Sequence, residues 1–416
     1  MKDVTAVSST QPDKYLLNTP FGSHRLRRWP LIDNDALQAW DASDELILIE
    51  LAEQHSDKLR QLEAMGQRIL IVNDAFGALS TCLNQYGRCS WGDSKISQLA
   101  AKYNNNNQTD NAIVDNHLQQ KNNLTFVNSM SLPDHNYEFV LIKIPKTSAL
   151  LEQQLLAIRN LVNKDCIIIA AGMSKHIHSS TMKLFTQCLG PTSSSRATKK
   201  ARLIFCEPLS NQKEKSTIPP RIFNYYCQEI SNELISYANG FSKNNLDLGA
   251  RILIDAFKKN EHPRSQYLLD LGCGNGVLGI AAAKTIIHKN NSEMTVDFID
   301  ESFMAVAASR ENFNRAIGDT AQCNARFYVE DGLDNSDNQY DWIVCNPPFH
   351  RGNTIETNTA KKMFSQSFRH LNSKGQLWIV GNSHLHYERA LQHVFSNHKV
   401  LFKNHRFAVI CATKTD

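Results

Sequence analysis

Two short stretches of this 416-residue chain combine residue types at spacings that chemistry needs. In Asp270-Leu271-Gly272-Cys273-Gly274-Asn275-Gly276, a carboxylate ends an apolar run just before three glycines at alternate positions. Glycines where a strand turns into a helix let the backbone approach a ligand closely, and the helix start offers free N–H groups. Gly274, Gly276 and Gly279 also satisfy the G-x-G-x-x-G spacing of dinucleotide sites. Asp270 points to a different ligand, because a carboxylate there repels a pyrophosphate and suits the ammonium of S-adenosylmethionine. Asp300 ends the next apolar run, where an acid can accept both hydroxyls of a ribose. Asp331 follows a third run; it could accept an adenine amino group, and reads equally as a plain loop carboxylate.

The second stretch, Asn346-Pro347-Pro348-Phe349, follows a fourth apolar run. A planar exocyclic amine such as guanine N2 is a poor nucleophile, since its lone pair is delocalised into the ring. The Asn346 side-chain oxygen and the Pro347 main-chain carbonyl can both accept its N–H bonds. Those bonds favour a pyramidal nitrogen facing a methyl donor, by orientation and electrostatics and without a strong base. Prolines at 347 and 348 stiffen the loop by fixing φ. Phe349 offers a face on which an extruded base can stack. Catalysis is therefore expected at Asn346, Pro347 and Phe349. Cofactor binding is expected at Asp270, Gly272, Gly274, Gly276, Asp300, Asp331 and Asn346. His350 could meet the base or a phosphate, or simply be exposed. Cys273 and Cys345 read as packed residues, because neither has a general-base pattern nearby.

Rigid elements must hold these residues. In the second half, strands are expected at 267–271, 294–299, 325–330, 341–345 and 376–380. Helices over 277–287 and 302–316 separate the first three, and a hairpin about Asn404-His405 closes the chain. The first half shows a helix over 37–51, strands at 68–72 and 139–144, a strand-turn at 89–93, a helix over 148–161 and a strand at 166–170. Such alternation predicts a parallel, doubly wound sheet in each half. The halves also resemble each other. Ile71 to Ser80 can be laid on Asp270 to Gly279, Asp93 falls near Asp300, and Ile144-Pro145-Lys146 falls near Asn346-Pro347-Pro348. The fold class is thus α/β, and parallel strands ending in a hairpin resemble the Rossmann-like methyltransferase fold, so two such domains in tandem are expected. The first has lost the glycines and the asparagine, so only the second is expected to be catalytic. The boundaries read as 1–205 and 241–416, with a linker over 206–240. Residues 1–35 read as irregular, and the Asn- and Gln-rich stretch 103–123 as an exposed polar insertion.

Composition excludes several classes. Hydrophobic residues make up 42% and charged residues 21%, which argues against global disorder. No apolar run approaches membrane-spanning length, and the N-terminus lacks a signal-peptide core. The 10 cysteines include no C-x-x-C pair, so reduced thiols in a cytoplasmic protein, and no metal site, are expected. A net charge of +4 permits a nucleic-acid partner without requiring one. Arg25, Arg27 and Arg28, Lys143 and Lys146, and Lys199, Lys200 and Arg202 could hold phosphates, or be solvated surface charge.

The Asn346–Phe349 tetrad resembles that of the amino-methyltransferases. More closely, Val344 to His350 and Asp270 to Gly276 resemble the guanine-N2 methyltransferases of bacterial ribosomal RNA. Leu37 to Ala42, Asn73 to Ser80, Gly92 to Ser94, Leu141 to Thr147, Leu150 to Leu155 and Leu189 to Thr192 resemble the large-subunit members, so the likeness runs over nearly the whole chain. It implies methyl transfer from S-adenosylmethionine to the exocyclic N2 of a guanine in 23S ribosomal RNA. It implies further that only the second domain binds cofactor while the first binds RNA. The rivals are a small-subunit guanine-N2 enzyme, protein-glutamine N5 and DNA adenine-N6 methyltransferases, and a catalytically dead ribosome-assembly RNA-binding protein. Phe241-Ser242 and Asp247-Leu248-Gly249 resemble a family segment leading into the cofactor domain; taken alone they are a capped helix start.

Overall fold

Long apolar runs flanked by amphipathic helices recur through both halves, and in the computed structural model each half folds around its own sheet. The two units are Met1–Ile218 and Pro219–Asp416. The structure describes residues 13–32, 35–65, 68–108, 123–134, 137–209, 220–289, 293–318, 320, 322–348 and 354–415.

The first unit opens with a hairpin of β1 (Leu16–Thr19) and β2 (Gly22–Arg25), so residues 1–35 are not wholly irregular. It continues with α1 (Ala42–Gln54), α2 (Ser56–Met65), β3 (Arg68–Val72), α3 (Ala78–Cys82), β4 (Gly87–Gly92), α4 (Lys95–Asn106) and β5 (Leu124–Asn128). It closes with β6 (Phe139–Lys143), α5 (Ser148–Leu161), β7 (Ile167–Met173), α6 (Ser179–Cys188), β8 (Thr192–Ser194) and β9 (Ala201–Cys206). Helix α1 starts at Ala42 instead of Leu37 because Asp41 caps it. The Asp41 carboxylate accepts from Ser43 N at 2.8 Å, and the Asp44 carboxylate accepts from Asp41 N at 2.9 Å. The Asn-rich stretch also departs from expectation at its start. Asn104 lies in α4, buried, accepting from Arg27 N and donating to the Arg27 and Phe76 carbonyls, each at 2.8 Å. Residues 109–122 of that stretch lie outside the described residues.

The second unit begins with β10 (Ile222–Cys227) and β11 (Asn232–Tyr237), an antiparallel pair inside the segment read as linker over 206–240. Asn312 holds this hairpin down, accepting from Ile235 N at 2.8 Å and donating to Ile235 O at 2.9 Å. The domain therefore starts well before residue 241. Next come α7 (Leu248–Lys259), β12 (Tyr267–Leu271), α8 (Val277–Lys289), β13 (Met294–Asp300), α9 (Phe303–Ala316), β14 (Cys323–Val329) and β15 (Tyr340–Cys345). The chain ends with α10 (Thr354–His370), β16 (Leu371–Asn382), α11 (Tyr387–Gln392), β17 (Asn397–Lys403) and β18 (Phe407–Thr413).

Both main sheets have one plan. The order is β5-β4-β3-β6-β7-β9-β8 in the first unit and β14-β13-β12-β15-β16-β18-β17 in the second. Five parallel strands are followed by an antiparallel pair in each. Ile69–Val72 and Phe139–Ile142 are fully buried, as continuous apolar strands covered on both faces should be. The proposed correspondence between the halves is borne out at β3 and β12. Both strands end one residue before a positive φ (Asn73 61°, Gly272 74°), with a second at Gly77 (78°) and Gly276 (81°) before the helix begins. In the second unit the chain crosses from one side of β12 to β15 on the other. Ligand crevices form at the carboxyl ends of strands around such a switch.

Candidate active site

At that switch the strand ends bring together Asp270 and the glycine loop from β12, Asp300 from β13, and Asn346 immediately after β15. Leu271 pairs with both Ile299 and Cys345, which puts the three strand ends level. Gly272, Gly274 and Gly276 all have positive φ, the conformation that needs glycine. The loop is pinned to β13, with Gly272 N and Cys273 N both donating to Ile299 O at 2.8 and 2.9 Å. A Cβ on Gly276 would press on Ser309 and Phe298, whereas one on Gly274 would meet nothing within 4 Å. Gly276 is thus needed for packing, and Gly274 faces open space.

Asp270 is fully buried. Its Oδ2 accepts from Gly279 N at 2.7 Å, capping the start of α8, while its Oδ1 has no hydrogen-bond partner. Burial pushes this carboxyl up to about 8; Asp300 adds to the effect and the Gly279 N–H opposes it. A buried acceptor with one idle oxygen fits a cationic ligand group. Without one, the folded protein holds a proton there that the unfolded chain releases near pH 4. Stability of the ligand-free protein should therefore fall as pH rises from about 4 to about 8, with a slope approaching about 1.4 kcal/mol per pH unit. Melting curves of wild type and Asp270→Asn across that range check this: the falling component should vanish in the variant. Parallel pH profiles would show that Asp270 titrates normally.

Asp300 Oδ2 accepts from Gly274 N and its Oδ1 from Ser302 N, both at 2.9 Å. One carboxylate thereby braces the glycine loop and the start of α9. Asp331, the expected acceptor for the adenine amine, also has a partner inside the protein. Its Oδ2 takes Lys362 Nζ of α10 at 2.9 Å, and Lys362 also pairs with Asp334 at 3.1 Å. Nothing in sequence spacing links residue 331 to residue 362. Sequence reading also missed the β10–β11 hairpin as a site element. Asn275 of the loop donates to Tyr225 Oη and Ser236 Oγ, each at 3.4 Å, and Asn312 Nδ2 holds the Asn275 carbonyl at 2.8 Å. Its signal was the period-two pattern Phe223-Asn-Tyr225, read past because Pro219-Pro220 looks like a linker.

Asn346 donates its Nδ2 to Asp247 Oδ2 at 3.4 Å, and its Oδ1 is buried without a partner. Pro347 is buried and Pro348 exposed. Phe349 and His350 lie outside the described residues. Burial pushes the Cys273 and Cys345 thiols well up, so neither supplies a thiolate. Among the described residues no group of three or more His, Cys, Asp or Glu could hold a metal, and no helix is long and apolar enough to cross a membrane.

The corresponding place in the first unit is built from different side chains. Ile71 stands at Asp270 and Ala75 at Gly274. Asn73 and Gln154 exchange amide hydrogen bonds, both at 2.8 Å. Lys143 pairs with Asp44 at 2.7 Å and Asp41 at 2.9 Å, which removes it from the residues offered for phosphate binding. Asp74 supplies the helix cap that Asp270 supplies in the second unit, accepting from Ser80 N at 2.8 Å. Arg25, Arg28 and Lys199 are ion-paired within the unit, to Asp13, Asp35 and Glu45; Lys146 and Lys200 are exposed.

Comparison with known proteins agrees with this layout. Residues 14–210 match the RLMG N-terminal domain family and residues 231–411 the methyltransferase small domain family. The chain is 40% identical over 401 residues to a ribosomal RNA large subunit methyltransferase G of Aeromonas salmonicida, covering 96% of this chain and 99% of that one. Its namesake in Psychromonas ingrahamii is 36% identical, with 94% and 97% covered. Among solved structures, a 16S rRNA N2 methyltransferase of T. thermophilus, in complex with AdoMet and guanosine, superposes with a TM-score of 0.69 at 17% identity. That likeness covers 96% of this chain and 97% of the other, and shows the two-sheet fold. The chain belongs to the ribosomal RNA large subunit methyltransferase G family.

Proposed function

We propose that this protein transfers a methyl group from S-adenosylmethionine to the exocyclic N2 of a guanine in large-subunit ribosomal RNA, in the cytoplasm. The observation that carries the reading is the buried, unpartnered Asn346 Oδ1 level with the glycine loop. The residues fit the cofactor. The space over Gly274 would take it, the idle Asp270 oxygen suits its ammonium, and Asp300 suits its ribose. When bound, S-adenosylmethionine supplies an electrophilic methyl on a sulfonium. Asn346 Oδ1 and the Pro347 carbonyl accept the two N–H bonds of the guanine amine, turning its lone pair out of the ring plane. Neither is basic enough to keep a proton, so the proton leaves for solvent after attack, when N2 is cationic and strongly acidic. Phe349 stacks on the base. Cys273 and Cys345 take no part.

In this reading the first unit supplies RNA affinity, through surface cations such as Lys146 and Lys200, and binds no cofactor because Ile71, Asn73 and Ala75 stand where the second unit has Asp270, Gly272 and Gly274. Asp331 fixes α10 through Lys362 and offers an acceptor to the adenine amine. The purified chain, supplied with methyl-labelled cofactor and total RNA, DNA or protein from cells lacking the gene, should label 23S RNA alone. Label in 16S RNA, DNA or protein would overturn the choice of acceptor.

A further inference from the structure

We propose that Asp247 is a positioning residue that sets which way the Asn346 amide faces, and so keeps an acceptor turned toward the amine. The proposal rests on the reading of Asn346 as the group that holds the base. Asp247 sits at the N-cap of α7, where its Oδ2 accepts from Ala250 N at 3.1 Å and from Asn346 Nδ2 at 3.4 Å. A carboxylate only accepts, whereas an amide has one donating and one accepting end. Turned the other way, Asn346 would set its oxygen against the carboxylate and its NH2 toward the guanine amine. Two donors would then face each other and the amine would lose its acceptor. Asp247 disfavours that state, so Oδ1 is left as the end that bonds nothing among the described residues.

Gly249 explains the spacing of the Asp247-Leu248-Gly249 pattern. A Cβ there would lie 2.9 Å from Asp247 Oδ2, 3.5 Å from Phe407 and 3.6 Å from Val380. The turn thus packs against β16 and β18, and a side chain at 249 would crowd the carboxylate oxygen that meets Asn346.

Single-turnover methyl transfer, cofactor Kd and melting temperature of Asp247→Ser and Asp247→Asn test this, with Asn346→Ala alongside. Serine caps a helix as well as aspartate does, but its hydroxyl is one bond shorter and does not reach Asn346. D247S should lose about 10- to 100-fold in rate, the scale of a hydrogen bond to a charged group, with cofactor Kd and melting near wild type. D247N keeps an acceptor at the same place and should recover all but about a few-fold of that loss. A wild-type rate in D247S, a loss that appears in cofactor Kd instead, or equal damage in D247N would overturn the positioning role. Wild-type transfer by N346A would overturn the reading of Asn346 beneath it, and this proposal with it.

Discussion

Asn346→Ala should lower single-turnover methyl transfer by about 100- to 1,000-fold, the scale of removing one preorganised partner of a transition state. Cofactor affinity should change little. Among the described residues the Asn346 side chain bonds Asp247, and its oxygen is buried without a partner. Truncation therefore removes an idle acceptor without opening a polar network, so the fold should hold. What disappears is the acceptor that turns the amine lone pair toward the methyl group. A rate measured with saturating cofactor and RNA separates chemistry from binding. Near-normal transfer would take Asn346 out of the mechanism.

The second large effect is expected in binding. Asp300→Ala should weaken the cofactor by about 1.5–3 kcal/mol, the range for hydrogen bonds to a charged acceptor. Two causes combine. The ribose loses its acceptor, and Gly274 N–H, now held by Asp300 Oδ2 at 2.9 Å, is released from the loop that must cradle the ligand. Asp300→Asn keeps one neutral acceptor and should lose less. Calorimetry would show this order, wild type tighter than the Asn variant and the Asn variant tighter than the Ala variant. Equal affinities for all three would mean that the ribose is held elsewhere.

Much of this site was legible in the sequence because its chemistry is local. Asp270 with the glycines, Asp300 and Asn346 each lie at or next to a strand end, and a parallel sheet brings strand ends together whatever the loops between them do. The repeat between the halves was legible for the same reason: Gly77 and Gly276 close the same turn. Contacts over long sequence distance were not legible. Asp331 meets Lys362 through the packing of α10, Asp247 meets Asn346 across 99 positions, and Asn312 ties the β10–β11 hairpin to Asn275. Composition also misled at the 206–240 segment, where prolines and lysines hid the strands that follow. It misled again at Asn104, where a polar residue in a polar run proved to be a buried bridge.

The most direct test of the central claim asks which atom receives the methyl group. The purified chain is incubated with methyl-labelled S-adenosylmethionine and large-subunit RNA from cells lacking the gene, and the RNA is digested to nucleosides. The account predicts that the label elutes as N2-methylguanosine at one position, and that Asn346→Ala removes it. Label in an adenosine, on a ring nitrogen of guanosine, or undiminished in the variant would contradict it.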